Sequence, residues 1–456
     1  MPAGCTRRAQ PNILLIVLDT LRPDRLGSYG STRGLTPFLD SLAARGFVFR
    51  NAYAQTSWTN ASIASLFTSR YQSQHRVTSF QSVLPDTELT LSEVLKQHGY
   101  ATAAFSANFL VRGDLGFGQG FDDYQAYSRP DTLTGRTYTK ERAGRVNQES
   151  LAWLDRLRHD RNPLPPIFLY LHYMEPHNPY DPPDAFLDKV LNGRERPDAG
   201  KINRAMNLSN ILPFSDDMVQ AVKDFYDAEV MSLDAQLREQ FAALQSRGFL
   251  DNAIVVMLAD HGEEFREHGL MGHHQTLYEE VIRVPLIILV PGHGERVDVS
   301  PIVSLTDIAP TLLDLVGMPA PPRFEGASLR DPMGIPRWRW GFLGAATRAS
   351  APSATDSGVA FSELIKETTA RQRPHEHAVI TDSSKLIVGV NGEHEFYDLM
   401  RDPGETNAQA LGEPERQRLD HDIARLRQLA APATPGAAAT PDAETRERMR
   451  ALGYAE

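Results

Sequence analysis

The chain has 456 residues, 41% hydrophobic and 23% charged, with a formal net charge of −11. That balance describes a globular protein, and its acidic excess argues against a nucleic-acid partner. The length points to a large α/β core with an accessory unit, and no apolar run reaches the ~20 residues that span a bilayer. One cysteine, Cys5, excludes an intrachain disulfide and a cysteine-based metal site. Met1–Gln10 carries no apolar leader and reads as a disordered tail, so the chain as written is expected in the cytoplasm. Ala3-Gly4-Cys5 is like the end of a lipoprotein cleavage box. A start codon lying upstream would make the protein periplasmic or a lipoprotein.

Asn12–Asp19, NILLIVLD, is the first expected strand, an apolar run ending on a carboxylate. Thr36–Arg45 follows as a helix, with Thr36 as N-cap and Pro37 at the first position. Phe47–Ala54 is a short strand. Ile63, Leu66 and Phe67 then predict a helix that begins near Asn60 and sets Thr59 at its N-terminus, where free N–H groups favour an anion. Thr90–Gly99 reads as a helix and Tyr100–Ser106 as a strand, with Asn108 just past its end. Helix is expected around Glu149–Arg158. Pro166–His172 is a buried strand that runs into Glu175 and His177. Asp181–Pro213 has little periodicity and reads as a long loop or insertion. Asp216–Arg247 is strongly helical.

Ala253–Gly262, AIVVMLADHG, is an apolar strand that ends abruptly on Asp260-His261-Gly262, and apolar runs of this kind suit a parallel sheet buried on both faces. Glu263–Glu280 is charged and rich in histidine. Val284–Val290 is a strand and Ser304–Val316 a helix. Ala345–Ser357 reads as a linker or loop. Val379–Val390 and Gly392–Leu399 suggest an antiparallel hairpin beside a helix at Glu413–Leu429. Ala430–Pro441 is a low-complexity linker, followed by a short helix at Asp442–Leu452.

Ligand sites of open α/β sheets lie beyond the carboxyl ends of strands. Collected there are Asp19, Thr59, Asp260 and His261, with His172, Glu175, His177 and His273 near in pattern. Two carboxylates and an imidazole make a cation site of mixed O and N character. Such a cation lowers the pKa of a coordinated hydroxyl, which makes Thr59 a candidate nucleophile, and a histidine could protonate a leaving alcohol. The set suggests transfer of a tetrahedral anionic group.

The chain resembles the sulfatase-like branch of the alkaline phosphatase superfamily over almost its whole length. The resemblance rests on five motifs in order: Asn12–Gly30, Thr36–Asp40, Leu258–Glu263, Gly272–Leu286, and Glu395–Leu399 with Asp402–Glu405. It implies a large, mainly parallel α/β sheet sandwiched by helices, with a small C-terminal antiparallel sheet plus helix. The implied division is a tail at 1–10, a catalytic domain at 11–340, an α+β subdomain at 341–430, and a linker with terminal helix at 431–456. It implies Asp19, Thr59, Asp260 and His261 as metal ligands, and Thr59, His177 and His273 as catalytic residues. Asn60, Asn108 and His172 are the expected substrate-binding residues.

Three departures bear on the chemistry. Sulfatases carry a Cys or Ser that is oxidised to formylglycine, within Cys/Ser-x-Pro-Ser-Arg; here Thr59-Asn60-Ala61-Ser62-Ile63 stands in that place. Oxidation of Thr would give a ketone, so no formylglycine is expected and Thr59 must act directly. Thr20 replaces a second Asp, and His261 an amide, which moves the expected ion from Ca toward Mn or Zn. His273 falls where a substrate-contacting Lys is common. One divalent ion is expected, with room for a second among His172, Glu175, His177 and His273. The leading function is hydrolysis of phosphate esters, with sulfate esters also open, in a small-molecule, glycan or lipid substrate. Headgroup transfer to a glycan or lipid, and a catalytically silent binding protein, are the alternatives.

Overall fold

The computed structural model describes residues 10–130, 138–207, 214–336, 358–365, 375–389 and 393–413, with isolated positions beyond. Eight strands form the main sheet: β1 Asn12–Leu18, β2 Phe47–Tyr53, β3 Ala101–Ser106, β4 Asp123–Ala126, β5 Ile167–Tyr173, β6 Ala253–Leu258, β7 Arg283–Leu289 and β8 Val297–Ser304. Their order is β8-β2-β7-β6-β1-β5-β3-β4. Only β7 runs against its neighbours. The central pairs β1–β5 and β1–β6 are parallel, and Ile13 to Val17 have no exposed surface. Burial on both faces explains the continuous apolar sequence, at roughly 1.5–3 kcal/mol per large side chain. The sheet is therefore the large, mainly parallel one expected.

Register places the site. Val17 lies opposite both His172 and Leu258, so β1, β5 and β6 end together. The residues just beyond, Asp19, His177 and Asp260-His261, emerge at one edge. The long helix Asp216–Ser246 covers one face, and its Tyr226 hydroxyl donates to the Thr20 carbonyl.

The small sheet is antiparallel, β9 Val359–Glu363, β10 His375–Thr381, β11 Ser384–Gly389 and β12 His394–Asp398. It is riveted to the main sheet by polar bonds. Ser362 Oγ donates to the Ala54 carbonyl, and the Glu363 carboxylate accepts from Ser73 N and Oγ. The buried Lys385 Nζ lies 2.8 Å from Glu405 Oε1 and 3.3 Å from Glu279 Oε1.

Several expected elements are corrected. Asp181–Pro213 is not a plain loop. It holds helices Asp184–Leu191 and Ala199–Asn207, which bury Leu187, Leu191, Ile202 and Met206 at i,i+4 spacing; residues 208–213 lie outside the described set. Val379–Val390 is not one strand but parts of β10 and β11, turned at Asp382-Ser383. The strand β8 was hidden because Pro301 interrupts its pattern. It is an edge strand, and a register shift between Val299 and Ile302 absorbs the proline. The expected helix at Ser304 starts only at Ile308, after a 3-10 turn over Leu305–Asp307. The polar edge strand β4 and the short pair Glu264–Phe265 with Met271–Gly272 were likewise not anticipated. Ala345–Ser357 and Ala430–Pro441 lie outside the described residues, as do Glu413–Leu429 and Asp442–Leu452 apart from isolated positions.

Candidate active site

The helix Thr59–Thr68 begins with Thr59 and is buried throughout. Its Ser62 Oγ donates to the Asp260 carbonyl at 2.7 Å, which ties the helix start to the end of β6. Thr59 Oγ1 then lies 3.3 Å from His261 Nε2. On the other side Asn108 Nδ2 donates to Asp19 Oδ2 at 2.6 Å and reaches Thr59 Oγ1 at 3.5 Å. Thr20 holds a left-handed backbone, φ 58°, which is unfavourable for a β-branched residue at about 1–3 kcal/mol. That turn aims its N–H at Asp260 Oδ1, 3.2 Å away.

Asp19, Asp260 and His261 each offer one ligand atom, all within 4.8 Å of one another, and none of the three has exposed surface. Asp19 Oδ1 and Asp260 Oδ2 meet no hydrogen-bond donor. Buried carboxylate oxygens left this way are costly unless a cation completes them. Electrostatics agree. Burial and the nearby Asp19 charge raise the Asp260 carboxyl. Burial also acts to raise Asp19, but the His172 hydrogen bond and the imidazoles of His177, His172 and His261 hold it below the usual carboxylate range. His261 Nδ1 donates to the Gly262 carbonyl at 2.9 Å, so the lone pair sits on Nε2, facing Thr59. The O, O and N donors present, with Thr59 Oγ1 alongside, fit a divalent ion.

His172 Nε2 donates to Asp19 Oδ2 at 3.2 Å, while its Nδ1 pairs with the Tyr170 hydroxyl at 2.8 Å. His172 thus orients a ligand. Asn108 bridges Thr59 and Asp19. Asn60 points its Nδ2 to the Ser79 carbonyl, 2.8 Å away, and is fully buried, so it supports the helix start. The three residues expected to bind substrate thus stand around Thr59 and Asp19. His177 and His273 stack edge to face, centroids 4.9 Å apart, and His273 lies 4.5 Å from His261. Burial pushes His177 down to about 4 despite the Asp19 charge, so it is neutral at pH 7.

The second ion set does not form. Glu175 Oε1 accepts from Ala143 N, and His172 serves Asp19. Among the described residues the other grouping with ligand geometry is Glu264, His268 and Glu280.

Three residues next to the site were not anticipated. Arg22 donates to the Glu263 carbonyl and pairs with Asp24 and Glu267. Lys140 Nζ donates to the His177 carbonyl at 2.6 Å and pairs with Glu229 at 2.9 Å. Glu263 accepts from His273 at 2.8 Å. Burial pushes the Glu263 carboxyl up to about 7, against the pull of His177 and His261. Arg22 and Glu263 lie within the recognised motifs, but nothing in their spacing told that they support the site. Lys140 lies in a polar stretch with no readable pattern.

Fold and site together define the class: an α/β ester hydrolase with a buried acidic and imidazole cluster at its strand ends. The sulfatase family model matches residues 11–318, and the chain belongs to that family. It is 26% identical to an arylsulfatase of Clostridium perfringens, over 90% of this chain and 92% of the relative. It is 26% identical to a Delta 4,5-hexuronate-2-O-sulfatase of Bacteroides thetaiotaomicron, over 88% and 85%. Two solved structures share the fold. One is a protein in complex with its substrate D-glucosamine-2-N,6-O-disulfate, with TM-score 0.73, 21% identity, and 93% of this chain and 99% of that one covered. The other is the phosphonate monoester hydrolase of Agrobacterium radiobacter, with TM-score 0.70, 19% identity, and 94% and 100% covered.

Proposed function

We propose that the chain is a divalent-metal-dependent hydrolase that cleaves phosphate esters, foremost diesters, through a covalent Thr59 intermediate. The carrying observation is that Thr59 Oγ1 lies within reach of His261 Nε2 and of Asn108, which in turn holds Asp19. Asp19, Asp260, His261 and Thr59 would hold the ion, which supplies a Lewis acid and favours the Thr59 alkoxide. Asn108 donates toward Oγ1 and so leaves an Oγ1 lone pair and the Thr59 hydrogen on the side of the cradle, where a bound ion would favour loss of that proton. Thr59 Oγ1 passes its proton to solvent and forms the bond to phosphorus as the bond to the leaving alkoxide breaks, and that oxygen takes its proton from water. Thr59 bears one oxygen on Cβ, so its ester is released by water attacking phosphorus. His177 and His273 flank this reaction, His177 toward the leaving oxygen and His273 toward the anionic group.

The charge balance favours a singly charged ester. Two carboxylates and one divalent ion sum to zero, while Lys140 and Arg22 are already ion-paired. A doubly charged phosphate monoester gains little from such a site. A sulfate monoester also carries one charge, and the sulfatase relatives favour this second reading, with a sulfated glycan as substrate. The deciding experiment is a chromogenic panel of phosphodiester, phosphomonoester and sulfate ester, with Mn, Zn and Ca added singly. Phosphodiester turnover that falls about 1000-fold in Thr59→Ala is expected, a loss of about 4 kcal/mol in transition-state stabilisation. Full metal-dependent turnover by Thr59→Ala would end the covalent reading, and turnover of the sulfate ester alone would select the second.

A further inference from the structure

Glu263 is a fully buried carboxylate to which the reaction above gives no part. It follows His261 by two residues, so its side chain starts from the backbone that carries the cation cradle. Arg22 Nη1 holds its carbonyl at 2.8 Å. Its Oε1 accepts from His273 Nδ1 at 2.8 Å, while Oε2 meets no donor. His273 comes from the far arm of the short hairpin, after Met271–Gly272, and its ring lies against both His261 and His177.

An imidazole on a loop can rotate and flip, exchanging its two nitrogens. A carboxylate on Nδ1 removes that freedom, as carboxylates do for metal-bound and catalytic histidines. With Nδ1 committed to Glu263, any contact with an ester falls to Nε2. The cradle residue His261 and the carboxylate that holds His273 are thus carried on one short segment, His261-Gly262-Glu263.

We propose that Glu263 is the positioning residue for His273, fixing which ring nitrogen meets the anionic ester. This rests on the reading of Thr59 and His273 as parts of an ester-cleaving site. The test is a double-mutant cycle of Glu263→Ala and His273→Ala in kcat/KM, with Glu263→Gln as the conservative variant. Glu263→Ala is expected to lose about 10- to 100-fold, and the double variant to be no worse than His273→Ala, because residues acting as a unit are not additive. Glu263→Gln keeps an acceptor oxygen and stays within about fivefold of the wild type on the same argument. The rise in Tm on adding Mn is retained by all four variants.

Wild-type-like activity of Glu263→Ala overturns the proposal. So does a loss that multiplies with that of His273→Ala, or one accompanied by loss of the Mn-induced Tm rise. If the wild type turned over no ester, the proposed function would fail on its own. The same cycle, read in orthovanadate affinity by calorimetry, would still test the coupling: a non-additive loss supports it and an additive one rejects it.

Discussion

Two clusters in this molecule have nearly the same donor chemistry and opposite characters. Asp19, Asp260 and His261 stand at the strand ends, and Glu264, His268 and Glu280 lie a few residues further along. In the first, one oxygen of each aspartate meets no donor. In the second, both polar atoms of Glu264 and both of His268 are partnered. Glu264 Oε1 accepts from Leu270 N at 2.9 Å and Oε2 from Thr276 at 3.2 Å. His268 bonds Glu280 at 2.7 Å and the Glu405 carbonyl at 3.0 Å, and its ring stacks on Tyr278. Acidic and imidazole groups placed together therefore do not make an ion site. The strand-end cluster is left incomplete by the fold, whereas the bonds of the hairpin cluster join Glu264, His268 and Glu280 to distant segments.

The sharpest way to break this contrast is to exchange charges for amides. Asp260→Asn is expected to abolish the Mn-induced rise in Tm and to lower kcat/KM by about 1000-fold or more. The stabilisation lost is about 2.7 kcal/mol when the ion stands at 100 times its Kd. Glu280→Gln should leave both readouts within about twofold. Equal loss of the Mn effect in the two variants, measured by thermal shift and metal titration, would show that the second cluster also holds an ion.

The next effect is on stability alone. Lys385 is fully buried, and the charges of Glu405 and Glu279 raise its amine against the lowering effect of burial. Removing one partner of a buried pair costs about 3–5 kcal/mol. Lys385→Met should therefore lower the denaturation midpoint strongly while folded protein keeps kcat near the wild-type value. A large fall in kcat at unchanged Mn affinity would mean that the small sheet shapes the site.

The contrast also explains what could be read from the sequence. Asp19 and Asp260-His261 were legible because each ends a continuous apolar run, and the parallel sheet brings such ends together. Thr59 was legible from the helix periodicity that begins beside it. The bonds of Asn108 and His172 to Asp19 were not, because a side chain near a strand end gives no sign in the sequence of which neighbour it will meet. The strand β8 and the helices within Asp181–Pro213 were obscured by prolines, whose cost here is absorbed by an edge position and by helix starts. Nothing in the sequence separated Glu264, His268 and Glu280 from the strand-end set, since the difference lies in hydrogen bonds from distant segments.

The smallest effect is also the one with a definite pH signature. Burial alone would lower His268, but the Glu280 hydrogen bond and charge, aided by the Glu405 carbonyl, push it up to about 9. Its unfolded value is about 6.5. A histidine raised in the folded state stabilises fully below the unfolded value and stops doing so as pH rises through the folded one. The tether from the hairpin to Glu405 should thus be complete below about pH 6.5 and fade by about pH 9. Burial likewise pushes Glu264 and Glu405 up to about 7, and they weaken the fold in the same direction as pH rises. The informative quantity is therefore the Tm difference between wild type and His268→Gln, measured from pH 6 to 9.5. It should be greatest at the acid end and shrink toward zero at the alkaline end. A difference that stays constant would mean that His268 acts through its stack on Tyr278 rather than through its charge.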